Sequence, residues 1–507
     1  MNKNILLPLL LVLPLHGSAA DLMSNVVNMA NQTFAHGNNK SDDLNQLPLN
    51  AVEKLCYQEK NAEACYVAGY KNSLEGKDQD LKKALVYYER SCDLNLNIGC
   101  SNAGYFYLNG IAVAQDYQKS KSFFIKGCEL NDGTGCSNLG TQYENGQAVA
   151  QSYKEAFNYY LKSCNLDSGF GCCNLGGLYD TGNGVAQSWT EAKKYYEKAC
   201  NLDAGLGCSN LGVMYEKGQN VTQDYQKARS YYAKACDLNV GLGCHNYGAL
   251  YLYGLGVEQN YKEAISALEK SCALDTGVGC ATLGMLYHQG EGVKKDYKQA
   301  FIYYQKGCEL DYSSACLNLG VLCENGLGVN ANQKEANNNY KKGCELENGA
   351  ACTSIGVSYY DGLDVNQDYH QSKNYYEKAC SLNDGNGCSN LGYQYEQGYG
   401  VKQDYTEACL YYQKGCDLGS GNGCTNLGML YDNGQGVQQD LKKANTYYEK
   451  GCELQEANGC NNLGISYEEG SGVNSDPVKA KELYGKACDL GLQKGCDRYS
   501  NLNNSGK

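Results

Sequence analysis

The chain lacks the material for several kinds of protein. After Leu15 no stretch approaches the ~18 apolar residues of a membrane-spanning helix. Histidine is scarce, with five in 507 residues, and the histidines do not accompany the cysteines. Cysteines that share a zinc ion usually have about two to four residues between them. Here seven residues separate them, so no metal centre is expected, and no cofactor. Positive charge is also short: 43 Lys and Arg face 56 Asp and Glu, a formal net charge of −13. Such a chain suits nucleic acid poorly, because phosphates must be neutralised by clustered basic side chains. An anionic membrane surface is disfavoured for the same reason, and a basic or neutral partner is permitted.

What the chain has in quantity is cysteine, 29 in all. Cys92 and Cys100 are followed by Cys128 and Cys136, Cys164 and Cys172, Cys200 and Cys208, Cys236 and Cys244, and Cys272 and Cys280. Then come Cys308 and Cys316, Cys344 and Cys352, Cys380 and Cys388, Cys416 and Cys424, Cys452 and Cys460, and Cys488 and Cys496. The pair returns every 36 residues without a slip. Cys56 and Cys65 precede the series with one extra residue between them. A fixed period of this length marks a stack of supersecondary units and not one globular core.

The N-terminus predicts export. Met1-Asn2-Lys3-Asn4 is a basic start, Ile5 to Leu15 is apolar, and Gly17-Ser18-Ala19-Ala20 offers a small-residue cleavage site. Residues 1–20 read as a cleaved signal peptide, and residues 21–45 as a polar segment without period. No cysteine lies near the cut, so a lipid anchor is not expected. Outside a reducing cytosol the paired cysteines become structural disulfides. The expected location is secreted or periplasmic, without membrane insertion.

One repeat, Cys136 to Cys172, shows the design. Cys136, Leu139, Gly140 and Tyr143 share one face of a helix, here called helix A, which Gly146 ends. Helix B opens at Ser152 with Glu155 three residues on, a capping box. Ser188/Glu191, Asn260/Glu263 and Asp404/Glu407 repeat the box. Asp116, Asp224, Asp296, Asp368, Asp440 and Asp476 open most other B helices. Helix B carries Tyr153, Ala156, the aromatic pair Tyr159/Tyr160 and Cys164 on a helical stripe. Such short helices are marginal alone and need neighbours. The aromatic pairs are expected to fill the seam between units, and the helix A glycine to admit a facing helix. The first cysteine of each pair ends helix B and the second opens the next helix A, so a bridge would clamp the turn between units. Cys173, Cys323 and Cys409 fall off the grid and are expected to be unpaired. The fold expected is all-α, a solenoid of helix pairs over 46–491, entered by a helix near 46–57 and closed by a capping stub, 492–507.

The pattern G-x-G-C-S-N-L-G-x-x-Y-x-x-G-x-G-V-x-Q-D-Y-x-K-A-x-x-Y-Y-x-K-A-C stands nearly intact at 205–236 and 385–416. It resembles the Sel1-like repeat, a relative of the tetratricopeptide repeat. With its i/i+8 cysteines the chain resembles the Helicobacter cysteine-rich protein family, secreted proteins with one disulfide per repeat. That resemblance implies about twelve repeats of 36 residues in a right-handed α/α superhelix, with helix A on the concave side. Units depart from the pattern at Trp189, Ala267-Leu268, Asn339-Tyr340 and Pro477, the last a position where proline is tolerated.

Function is expected on the concave side. Asn102, Asn138, Asn174, Asn210, Asn246, Asn318, Asn390, Asn426 and Asn462 recur two residues after the second cysteine. Their amides, able to donate and accept, could hold a peptide backbone in extended form, as in related helical repeats, or could bond between units. Glu144, Asp180, Glu216, Leu252, His288, Glu324, Tyr360, Glu396, Asp432 and Glu468 vary most and are candidates for partner specificity. The expected function is a scaffold that binds a protein or peptide, from a host or from the cell envelope. The resemblance also offers β-lactamase or penicillin-binding activity, but no Ser-x-x-Lys, S-D-N or K-T-G motif is present, so no catalytic residue is assigned. A structural envelope spacer is the third alternative.

Overall fold

A computed structural model describes residues 44–74 and 78–504 of the chain. The expected signal peptide, and residues 21–43 of the polar segment, lie outside the described residues. The described residues form helices from Leu49–Gln58 to Gln493–Asn504 joined by short turns and loops, with no strand among them. Contacts divide the chain into two compact units, one within Met1–Gly243 and Leu255–Val257, the other within Cys244–Gly254 and Glu258–Lys507. In each, helices A and B alternate as antiparallel pairs, so the expectation of an all-α repeat with one disulfide per unit holds.

Each element follows from local chemistry. Helix A of the repeat quoted above runs Gly133–Asn145 and ends in Gly146, whose φ of 67° is the left-handed geometry that glycine accepts freely. Helix B, Tyr153–Asn165, is capped by Ser152 Oγ, which accepts from Glu155 N at 3.3 Å. The reciprocal half of the capping box does not form. The Ser152 backbone N–H donates instead to the Tyr143 carbonyl of helix A at 2.8 Å. The same bond recurs from Asp224 to Tyr215, Asp404 to Tyr395 and Asp476 to Tyr467, and it closes the A–B loop. A tertiary acceptor has displaced the local one.

The helix A glycine makes room for a ring. A Cβ on Gly140 would lie 2.7 Å from the Tyr160 ring, and Gly176, Gly284, Gly356, Gly428 and Gly464 stand likewise against Tyr196, Tyr304, Tyr376, Tyr448 and Tyr484. The aromatic pair therefore divides its work within its own unit. Its second member is buried against that glycine, and its first stacks on the helix A tyrosine, as Tyr159 does on Tyr143 at 5.4 Å.

Between repeats the disulfides hold consecutive hairpins. Cys128–Cys136, Cys308–Cys316 and Cys416–Cys424 bring Cα atoms to 4.5–4.6 Å. Cys56–Cys65 forms the first staple and Cys488–Cys496 the last. A second clamp is a helix B lysine: Lys198 Nζ donates to the Cys164 carbonyl at 2.7 Å and pairs with Asp167 at 2.8 Å. It caps the end of the preceding helix B, where a cation meets unsatisfied carbonyls.

Candidate functional site

Successive A helices touch one another from Asn97–Asn109 to Gly205–Lys217 in the first unit and from Gly277–Gln289 to Ala457–Glu469 in the second. In the second unit those from Gly277 to Glu469 therefore present a common face. Cysteine, leucine (isoleucine at 355) and glycine of each helix point inward, and the position three residues after the recurrent asparagine stays partly open. Met285, Val321, Val357, Met429 and Ile465 are half-buried there, and Tyr393 is 40% exposed. This apolar row was missed in the sequence, because each residue looks like an ordinary variable position. Its signal is the 36-residue spacing of apolar types one helical turn beyond the asparagines.

The asparagines run beside this row. Asn138, Asn174, Asn210, Asn246, Asn318, Asn390, Asn426 and Asn462 are half-buried, and Asn102 is buried. Part of their capacity is spent inside the fold. Asn174 Nδ2 donates to Ser137 Oγ at 3.4 Å, on the preceding helix A, and Asn210 Nδ2 reaches Cys173 Sγ at 3.8 Å. Asn174, Asn210, Asn390 and Asn426 also sit against the hydroxyls of Tyr160, Tyr196, Tyr376 and Tyr412. Asn462 Oδ1 accepts from Asn461 and Asn246 Oδ1 meets His245, while Asn138 leaves its Nδ2 without a partner.

The variable carboxylates are also engaged. The Tyr160 hydroxyl donates to Glu144 at 2.5 Å, Tyr340 to Glu324 at 2.7 Å, Tyr448 to Asp432 at 3.0 Å and Tyr484 to Glu468 at 2.6 Å. Tyr232 donates in the same way to Glu216. Burial and the adjacent carboxylate push these phenols well above their ordinary pKa, so they stay protonated donors. Apolar residues replace both partners together: Leu108 stands opposite Phe124, and Leu252 opposite Leu268. Cys323 and Asn339 take the places that the stacked Tyr143 and Tyr159 hold in their repeat, with Asn339 Nδ2 at 3.9 Å from the sulfur. These positions are thus set largely by an internal partner sixteen residues on.

The three odd thiols, Cys173, Cys323 and Cys409, are unpaired and buried. Burial pushes Cys173 up to about 12 and Cys323 and Cys409 up to about 11, which leaves them as unreactive thiols. Among the described residues no group of three or more His, Cys, Asp or Glu is placed to hold a metal ion. Nor is any helix there long and apolar enough to cross a membrane.

Fold and face define a disulfide-stapled α/α repeat scaffold. The Sel1 repeat family model matches twelve times, from 62–96 through 205–240 and 349–384 to 457–492, and the chain belongs to that family. Among solved structures it is similar to c5321, a protective antigen of uropathogenic Escherichia coli with an SLR fold. Identity is 26% and the TM-score 0.55, over 83% of this chain and 90% of that one. A Sel1 repeat protein from Oxalobacter formigenes is 30% identical, with a TM-score of 0.45, over 48% of this chain and 98% of its own. Cysteine rich protein B of Helicobacter pylori is 37% identical, with a TM-score of 0.23, over 26% and 94%. No curated protein matches the chain. So many disulfides suggest an oxidising, extracytoplasmic setting.

Proposed function

We propose that the protein is an exported scaffold that binds an extended protein segment along the helix A face. The observation that carries this reading is the paired row of the second unit. Half-buried apolar side chains run from Met285 to Ile465, flanked one turn earlier by the amides of Asn318, Asn390, Asn426 and Asn462. An extended peptide needs both: amides for its backbone and shallow apolar seats for alternate side chains. Repeat stacks supply such long surfaces because each unit adds one helix to the face. Export is supported by the leader-like N-terminus and by the disulfides. β-Lactam hydrolysis has no Ser-x-x-Lys motif to carry it.

The test is selection of a displayed random-peptide library on the oxidised chain. Selected peptides should lose affinity for a Met429→Ala, Asn426→Ala variant and keep it for Lys442→Ala on helix B. No selectable peptide, or equal binding by both variants, would refute the reading.

A further inference from the structure

The same face carries a sign of charge that specifies its partner, and this step rests on the reading just given. The six A helices of the second unit from Gly277 to Glu469 contain no lysine or arginine. Every B helix from Tyr261 to Asp489 carries at least one lysine. In the A helices and the loops that follow them between 313 and 476, Lys402 is the only basic residue. The same segments hold, among other carboxylates, Glu324, Asp361, Asp364, Glu396, Asp432 and Glu468. Among these helices lysine is thus confined to the B helices, which also carry carboxylates, while the A helices from 313 onward carry carboxylates alone.

At the middle of this surface four rings meet. Tyr360, Tyr369, Tyr393 and Tyr399 pack with centroids 5.0–6.4 Å apart. Tyr360 and Tyr399 have no tyrosine counterpart in the other 36-residue repeats, and Tyr393 shares its position with Tyr105 alone. Other repeats place Glu, Asp, Leu or His at the Tyr360 position, mostly Val, Met, Ile or a small residue at that of Tyr393, and Gln, Leu, Asn, Glu, Ile or Ser at that of Tyr399. The stack folds in those units without these rings, so packing alone does not call for them. Asp361, exposed, follows Tyr360 in the chain. Glu396, which accepts from the Tyr412 hydroxyl at 2.5 Å, shares helix 385–397 with Tyr393.

We infer that this surface takes a cationic extended segment of a partner protein, with one large apolar or aromatic side chain seated on the Tyr360–Tyr369–Tyr393–Tyr399 cluster. Lysine or arginine on either side of that anchor then lies over carboxylates and tyrosine faces, which attract a cation. The net charge of −13 steers the same class of partner toward the chain. An acidic or phosphorylated segment would meet like charge along the whole row.

Fluorescence anisotropy on the oxidised full chain tests this. The probe is a labelled lysine-rich peptide of about 12 residues with one central Trp, which when extended reaches about 40 Å, or some four A helices. Its controls carry Gln or Glu at every Lys. The Lys peptide should bind, and salt should weaken it. Tyr393→Ala should cost about tenfold or more in affinity, as for an aromatic anchor, and Tyr393→Phe should retain binding. Equal or tighter binding of the Gln or Glu peptide, still lost on Tyr393→Ala, overturns the cationic class and leaves the helix A reading standing. Failure of all three peptides, or binding indifferent to both Tyr393→Ala and Asn426→Ala, overturns both. Concentration-dependent self-association that the Lys peptide does not compete away also overturns this inference, since it gives the face to a second copy.

Discussion

At the residue scale, glycine and tyrosine set the repeat. A mid-helix Gly→Ala normally gains up to about 1 kcal/mol of helix propensity. At Gly140 the new Cβ would meet the Tyr160 ring at 2.7 Å, so overpacking decides the sign. Gly140→Ala should destabilise by about 1–3 kcal/mol, measured by denaturant unfolding. The Tyr–carboxylate bond is testable as a pair. Tyr232→Phe leaves Glu216 without its donor and should cost about 1–3 kcal/mol. Tyr232→Phe with Glu216→Leu copies the native Phe124 and Leu108 combination and should recover most of that loss in a double-mutant cycle. A double variant whose cost is the sum of the two single costs would show that the pair is not coupled. His245 supplies a pH dependence. Its ring is held by Thr282 at 3.3 Å and Asn246 at 3.2 Å, and burial lowers its pKa from the usual 6.5. The unfolded chain then takes up the proton first. Stability from this group is present above about pH 6.5 and is lost as pH falls toward the depressed value. His245→Gln should flatten that part of the stability–pH curve, measured by urea unfolding between those limits.

At the scale of the element, a disulfide holds the turn between consecutive repeats. Each staple closes a short loop, worth about 2–3 kcal/mol in the chain-entropy model. Because contacts pass only between neighbours, the loss should stay local. Replacing Cys452 and Cys460 by Ser should raise amide exchange over 441–469 and leave 297–325 unchanged. Uniform acceleration along the chain would contradict the nearest-neighbour picture. The same period made the elements legible in the sequence: the cysteine grid, the cap at Ser152 and the stop at Gly146 place helices A and B directly. The capping box at Ser152 and Glu155 was only half right, since the Tyr143 carbonyl that takes the Ser152 N–H comes from another helix and leaves no mark in local sequence.

At the scale of the molecule, function is a property of a row and not of a residue. Aligning the repeats one position at a time made Glu144 and Glu324 look free for a partner. Reading positions in pairs sixteen apart shows them tied to Tyr160 and Tyr340. The apolar row from Met285 to Ile465 was hidden for a related reason: whether such residues stay open depends on how neighbouring A helices pack. Where the row acts, it should be shielded on binding. The most direct measurement is hydroxyl-radical footprinting of the oxidised chain, free and saturated with a library-selected peptide. Protection at Met285, Tyr393 and Met429, with helix B residues such as Ile302 and Leu410 still reactive, is the predicted result. Protection confined to the B helices, with those three side chains oxidised as in the free chain, would contradict it.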